Sequence, residues 1–283
     1  MKRAVGACLL LALACAAPAG AQTLEKIRKE GVIRLGYIDG AAPFSSSDGV
    51  GGAQGYSADI CRAVAQGIAA QLKLPDLKTR WVRLDLQNRI DAVRRKEVDI
   101  ECSTTTWTLS RQRLVDFSLV TFLDGGTVLS KTDAGLSRLD HFKGRRIAVI
   151  AGTTTQKALA EALAQRKVPA EVVTVKRRDE GLSLLRQSQV DGFASDRTTL
   201  ITLAHLSGAG AAEYRLLDED FSIEQYALML PRGDADMRLA VNRVLARLYR
   251  SREIEEIYQR SLGPLGAPSV LLTATYFIQS ISE

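Results

Sequence analysis

Four hydroxyl residues, Ser103-Thr104-Thr105-Thr106, follow the apolar stretch Val98-Asp99-Ile100, and arginines stand at positions 111 and 113. Gly152-Thr153-Thr154-Thr155 follows a second apolar stretch, 146–151, and Asp196 closes a third, 190–195. Arginine suits a carboxylate because its planar fork makes two parallel, charge-assisted hydrogen bonds. Threonine hydroxyls and free N–H groups at a helix start complete such a cradle. An ammonium group needs acceptors, and Asp196 supplies an anionic one. Together these residues imply polar recognition of a small zwitterion.

Other chemistries find less support. The two histidines, His141 and His205, lie far apart, and neither has a second His, Cys or Glu at ligand spacing. No Gly-x-Ser-x-Gly elbow is present. The glycine-rich run Gly49–Gly55 (GVGGAQG) lacks the Lys-Ser/Thr ending of a phosphate loop and reads as a surface turn. No cofactor or metal is implied. An enzyme needs an acid or base aimed at the bound molecule, for which Glu180 and Glu224 are the candidates.

The elements that must position these residues alternate along the chain. Strands are expected at 31–37, 79–84 and 98–102, with helices at 57–72 and 87–95. The second half repeats the rhythm, with strands at 146–151, 171–175 and 190–195 and helices at 155–165, 180–187 and 197–206. Such alternation means βαβ units and parallel sheets. Two extended connections, 121–131 and 216–230, lead into and out of the second set, which predicts an α/β protein of two lobes joined by two hinge segments. One lobe takes 22–123 with 222–283, and the other takes 124–221. In open α/β sheets ligands sit beyond the carboxyl ends of the strands, where the Thr104, Thr154 and Asp196 groups all fall. The site is therefore expected between the lobes. Helices at 234–250 and 253–262 follow, and the apolar tail 269–281 is too short to span a bilayer.

The first 21 residues read as a signal peptide: Lys2 and Arg3, an apolar run from Cys8 to Ala17, and the small-residue site Ala19-Gly20-Ala21. Cleavage after Ala21 is preferred over lipid attachment at Cys15, because alanine rather than leucine stands three places before that cysteine. The net charge of +6 includes Lys2 and Arg3, so the exported chain keeps 36 basic against 32 acidic side chains. Those charges are scattered, which argues against nucleic acid. Cys61 and Cys102 remain beyond the leader, either as a disulfide or as two buried thiols.

Across residues 31–262 the chain resembles the periplasmic amino-acid-binding proteins of ATP-driven (ABC) uptake systems, solute-binding protein family 3. The residues that carry the resemblance include Ala42-Pro-Phe44, Gly55-Tyr-Ser-Ala-Asp59, Gln87-Asn-Arg-Ile90 and Val98-Asp-Ile-Glu-Cys102. Thr104-Thr-Thr106, Arg111 with Asp116-Phe-Ser118, Ala151-Gly-Thr-Thr154 and Glu224-Gln-Tyr226 continue it. The stretch 87–118 is most similar to the glutamate/aspartate-binding branch. The resemblance implies a two-lobed periplasmic receptor, a monomer without enzymatic activity, that delivers an L-amino acid to an inner-membrane ABC permease. It further implies that Arg111 clamps the ligand α-carboxylate with Thr106 and Thr154, while Thr104 and Asp196 receive the α-ammonium. Phe44 would form an apolar wall and Arg89 would face the ligand side chain. The chain departs from the branch at Ile38 in place of an arginine, Leu86 in place of a serine, and Arg178 in place of a histidine. Arg89 and Arg178 favour glutamate or aspartate if they face the ligand. A neutral amino acid fits if they are neutralised by Asp85, Asp179 or Glu180.

Overall fold

The computed structural model describes residues 22–208 and 210–282. The expected leader and Cys15 lie outside them. A single mixed sheet runs through the molecule, in the order 78–84, 32–38, 100–101, 222–230, 116–131, 192–196, 146–150 and 171–175, with 214–216 also paired to 116–131. Strand Val32–Ile38 is parallel to both of its neighbours, and so is Arg146–Ile150. Each end of the sheet is thus a parallel set flanked by helices, as the alternating sequence requires. Between the two sets run two long antiparallel strands, Asp116–Lys131 and Ser222–Leu230. These carry the expected hinge segments. The connections read as links are the central strands of the sheet, and their pairing is irregular around Tyr226, Ala227 and Met229.

Helix Tyr56–Leu72 buries Ile60, Cys61, Val64, Ala65 and Ile68 against the first set of strands. Helix Ala235–Arg250 packs on it so closely at Gly67 that a Cβ there would come within 2.3 Å of a Val244 methyl. Asp234 caps that helix by accepting the Met237 N–H at 3.0 Å. Helix Thr154–Gln165 covers one face of the second set, and helix Arg178–Arg186 packs on the strands Arg146–Ile150 and Gly192–Asp196. The apolar tail forms the helix Val270–Ile278, docked through Leu272 and Tyr276 on the first-lobe core. Among the described residues no helix is long and apolar enough to cross a membrane.

Cys61 and Cys102 form a disulfide, which fastens helix Tyr56–Leu72 to the strand end before Ser103. Of the two readings left open by the sequence, pairing is the one found. Several boundaries differ slightly from expectation. The strand expected at 98–102 pairs only over Ile100–Glu101, and helix 87–95 shortens to Arg89–Arg94 because Asp85 and Asn88 fold the preceding residues into a turn.

Candidate interlobe binding site

The stretch 103–107 lies along the hinge strand Ser222–Leu230. The Ala227 N–H donates to the Thr105 carbonyl at 3.2 Å, and the Trp107 N–H donates to the Gln225 carbonyl at 2.7 Å. The Ser57 hydroxyl holds the Ser103 carbonyl at 3.0 Å. Thr104 and Thr106 therefore project from backbone fixed on both sides. Thr108 then caps the short helix Leu109–Gln112, accepting the Arg111 N–H at 3.2 Å. This turns the Arg111 guanidinium back, and its Nη1 donates to the Thr106 carbonyl at 2.8 Å.

In the second lobe Thr153 caps helix Thr154–Gln165 by accepting the Gln156 N–H, which sets Thr154 in the first turn. Asp196 ends its strand and opens helix Arg197–Leu206. Its carboxylate accepts from the Thr155 hydroxyl at 3.0 Å and from the Tyr226 hydroxyl at 2.6 Å. The lobes meet on the hinge strand. Glu224 Oε2 accepts from Thr106 at 2.6 Å and from Thr154 at 2.7 Å, while its Oε1 accepts from Ser222. A second link across the cleft runs from Arg178 Nη2 to the Thr104 hydroxyl at 3.2 Å.

These groups surround a narrow cavity of about 20 Å³, space on the order of one water molecule. Of the residues singled out from sequence, Thr104, Thr106, Thr154, Asp196, Arg89 and Arg178 line it, and Arg111 stands behind Thr106. Leu86 lines it too, at the end expected for the ligand side chain. Phe44 is not brought into it. Its fully buried ring packs edge-on against Tyr56, Phe122 and Tyr226, so it supports the tyrosine that reaches Asp196. Ile38 is likewise buried in a neighbouring apolar cluster.

Arg89 is 3% exposed, and no described residue accepts from its Nε or Nη1; the same holds for Arg178 Nε. The carboxylates named from sequence as their candidate partners are engaged elsewhere. Asp85 accepts the N–H groups of Gln87 and Asn88, Asp179 pairs with Arg177, and Glu180 accepts the Lys176 N–H. Burial pushes the Arg89 guanidinium down to about 10, and Arg111 adds repulsion. Burial also lowers Arg111 and Arg178. Glu101, fully buried on the short central strand, is pushed up to about 7 by the same loss of water, with Arg89 pulling the other way. Burial raises Asp196 as well, helped by the charge of Glu224. Asp124, beside the Tyr226 hydroxyl at 3.3 Å, is raised to about 7 by burial and by Asp196.

Three residues that reach the lining groups escaped a functional reading from sequence: Asp124, Tyr226 and, in its interlobe role, Glu224. Each is a lone residue on a strand, and only the long-range pairing of those strands brings it to the cleft.

A two-lobed α/β sheet with a polar cleft crossed by two strands is the architecture of a periplasmic binding protein. Residues 33–264 match the bacterial extracellular solute-binding proteins, family 3, and the chain belongs to that family. It is 32% identical over 84% of its length to the L-glutamate/L-aspartate-binding protein of Pseudomonas aeruginosa, covering 79% of that protein. It is 26% identical over 87% of its length to the glutamate/aspartate import solute-binding protein of Escherichia coli, covering 81% of it. Among solved structures, a periplasmic binding protein of an ABC transporter from Brucella ovis with glutathione bound superposes with a TM-score of 0.75. That match has 25% identity and covers 92% of this chain and 87% of the other.

Proposed function

We propose that this protein is an extracytoplasmic receptor that binds an acidic L-amino acid between its lobes and delivers it to an ABC permease, without chemistry of its own. The observation that carries the acidic ligand is the pair Arg89 and Arg178. Both are buried at the cavity, keep nitrogens without protein acceptors, and stand apart from any carboxylate in ion-pair range among the described residues. A buried guanidinium left unpaired is costly, so a carboxylate arriving with the ligand repays the cost of exposing no charge to water. The named function of two relatives, glutamate and aspartate binding, supports the same reading.

In this reading Arg111 clamps the α-carboxylate, with the Thr106 and Thr154 hydroxyls turning from Glu224 to the ligand. Thr104 and Asp196 take the α-ammonium, and Arg89 and Arg178 take the side-chain carboxylate. Leu86 stands beside the chain's methylene groups. The lobes divide at 123/124, within strand Asp116–Lys131, and at 221/222, where strand Ser222–Leu230 begins. A non-enzymatic role is supported by the state of the two acid or base candidates. Glu224 is occupied by three hydroxyls and Glu180 by a backbone N–H. Export to the periplasm and a monomeric state complete the proposal. A panel of the common L-amino acids, added to protein stripped of ligand by unfolding and refolding, tests it by thermal shift. Stabilisation by glutamate and aspartate is expected, and stabilisation by basic or large apolar amino acids alone overturns it.

A further inference from the structure

Leu86 and Arg178 line two cavities. On their inner side lies the narrow cavity already described. On their outer side the cleft widens into a chamber of about 450 Å³, within the range of about 300–1,000 Å³ usual for small-molecule pockets. This space is present while the lobes are in contact, for the Gln87 side chain donates to the Lys176 carbonyl at 3.1 Å. Glutamate and aspartate, with their side-chain carboxylates on Arg89 and Arg178, leave the chamber empty.

The chamber has an apolar wall and an excess of positive charge. Ile38, Leu84 and Leu86 come from one lobe and Leu203 from the other. Leu86 packs against apolar clusters of both lobes and so joins the two parts of that wall. Ile38, Leu86 and Arg178 are the three positions at which the chain departs from the glutamate/aspartate-binding branch, and all three line the chamber. Two of these departures put hydrocarbon in place of a charge or a hydroxyl. The charged residues are four cations and three carboxylates. Arg83 pairs with Asp39 at 3.1 Å and Arg177 with Asp179, and Asp85 accepts the N–H groups of Gln87 and Asn88. Lys176 and Arg178 are left with no carboxylate in ion-pair range among the described residues.

We propose that the cleft is a site of two compartments, whose outer one takes a residue amide-linked to the side chain of glutamate. The substrate class is a γ-glutamyl dipeptide with an apolar second residue. This deepens the receptor reading above and rests on it. The α-carboxylate and α-ammonium keep their places on Arg111, Thr104 and Asp196. Arg89, which lines only the inner cavity, donates to the γ-amide oxygen, which stands where glutamate carries a carboxylate oxygen. The second residue passes between Leu86 and Arg178 and lays its side chain on Ile38, Leu84 and Leu203. Its carboxylate meets Arg178 and Lys176. Such a dipeptide carries the same net charge as glutamate, placed one residue further out, whereas free glutamate fills the inner compartment alone.

Calorimetry on the refolded, ligand-stripped protein tests this with glutamate, glutamine, γ-glutamyl-leucine and γ-glutamyl-leucinamide, which lacks the distal carboxylate. γ-Glutamyl-leucine should bind at least as tightly as glutamate. The leucinamide should bind about tenfold or more weakly than γ-glutamyl-leucine, because Arg178 then stays unmatched. Lys176 is exposed and lines only the outer chamber, so Lys176→Glu should leave the fold and glutamate binding unchanged. That variant should weaken γ-glutamyl-leucine by about three- to tenfold. Tight glutamate binding with γ-glutamyl-leucine no stronger than glutamine overturns the proposal, and so does equal binding of γ-glutamyl-leucine and its amide. Failure of every one of these ligands to bind contradicts the receptor reading itself.

Discussion

Truncating Arg111 removes a guanidinium that donates to the Thr106 carbonyl at 2.8 Å and faces the buried Glu101 and Glu224. Removing one partner of a buried charge pair costs roughly 2–5 kcal/mol, about thirtyfold or more in affinity. Arg111→Ala should therefore bind its amino acid at least that much more weakly by calorimetry, and a loss below threefold would remove Arg111 from the site. Arg111→Lys should also bind poorly, because a point charge cannot reproduce the planar fork. Asp124 gives a prediction of stability rather than binding. Its carboxyl is raised to about 7, so the folded state binds the proton more tightly than the unfolded chain. Stability from this group is present below the ordinary carboxylate range and is lost as the pH rises toward 7. Asp124→Asn, which keeps an acceptor for the Thr198 N–H, should raise the unfolding midpoint at pH 8 and change it little at pH 4. A midpoint unchanged at pH 8 would mean that the carboxylate ionises there at no cost. The residues legible in sequence were those in local runs at strand ends, such as Thr104, Thr106 and Thr154. Asp124 and Tyr226 were not, because a single polar residue inside a strand gives no local sign of what it will face.

Among the elements, the Cys61–Cys102 disulfide closes a loop of 41 residues. Loop-closure entropy for that length corresponds to about 4 kcal/mol of stability. The thiols should resist alkylation in unreduced, denatured protein, and reductant should lower the unfolding free energy by a similar amount. Labelling of both thiols without reductant would contradict the bond. The alternating strands and helices were legible because each has its own apolar period, and helix Arg197–Leu206 and strand Glu171–Val175 fall where periodicity puts them. The hinge was legible only in part. Residues 121–131 read as an extended link, yet the strand begins at Asp116 and pairs with three others. Its length comes from partners distant in sequence, which no local pattern encodes. Helix Gln22–Glu30 was missed because it adjoins the expected leader and offers only Leu24 and Ile27 as its apolar face.

The whole molecule is held together across the cleft by Glu224 with Thr106 and Thr154, and by Arg178 with Thr104. The cavity of about 20 Å³ is too small for an amino acid, so a ligand requires the lobes to part and close again. Small-angle scattering should show a smaller radius of gyration at ligand saturation than in stripped protein, and an unchanged radius would count against hinge motion. The most direct test of what the cleft holds is competition among glutamate, aspartate, glutamine and asparagine, repeated on Arg89→Ala. Glutamate and aspartate should outcompete their amides in the wild-type protein, and Arg89→Ala should erase most of that preference while leaving amide binding within a few-fold. Amides that win in the wild-type protein, with an order unchanged by Arg89→Ala, would contradict an acidic ligand at this site.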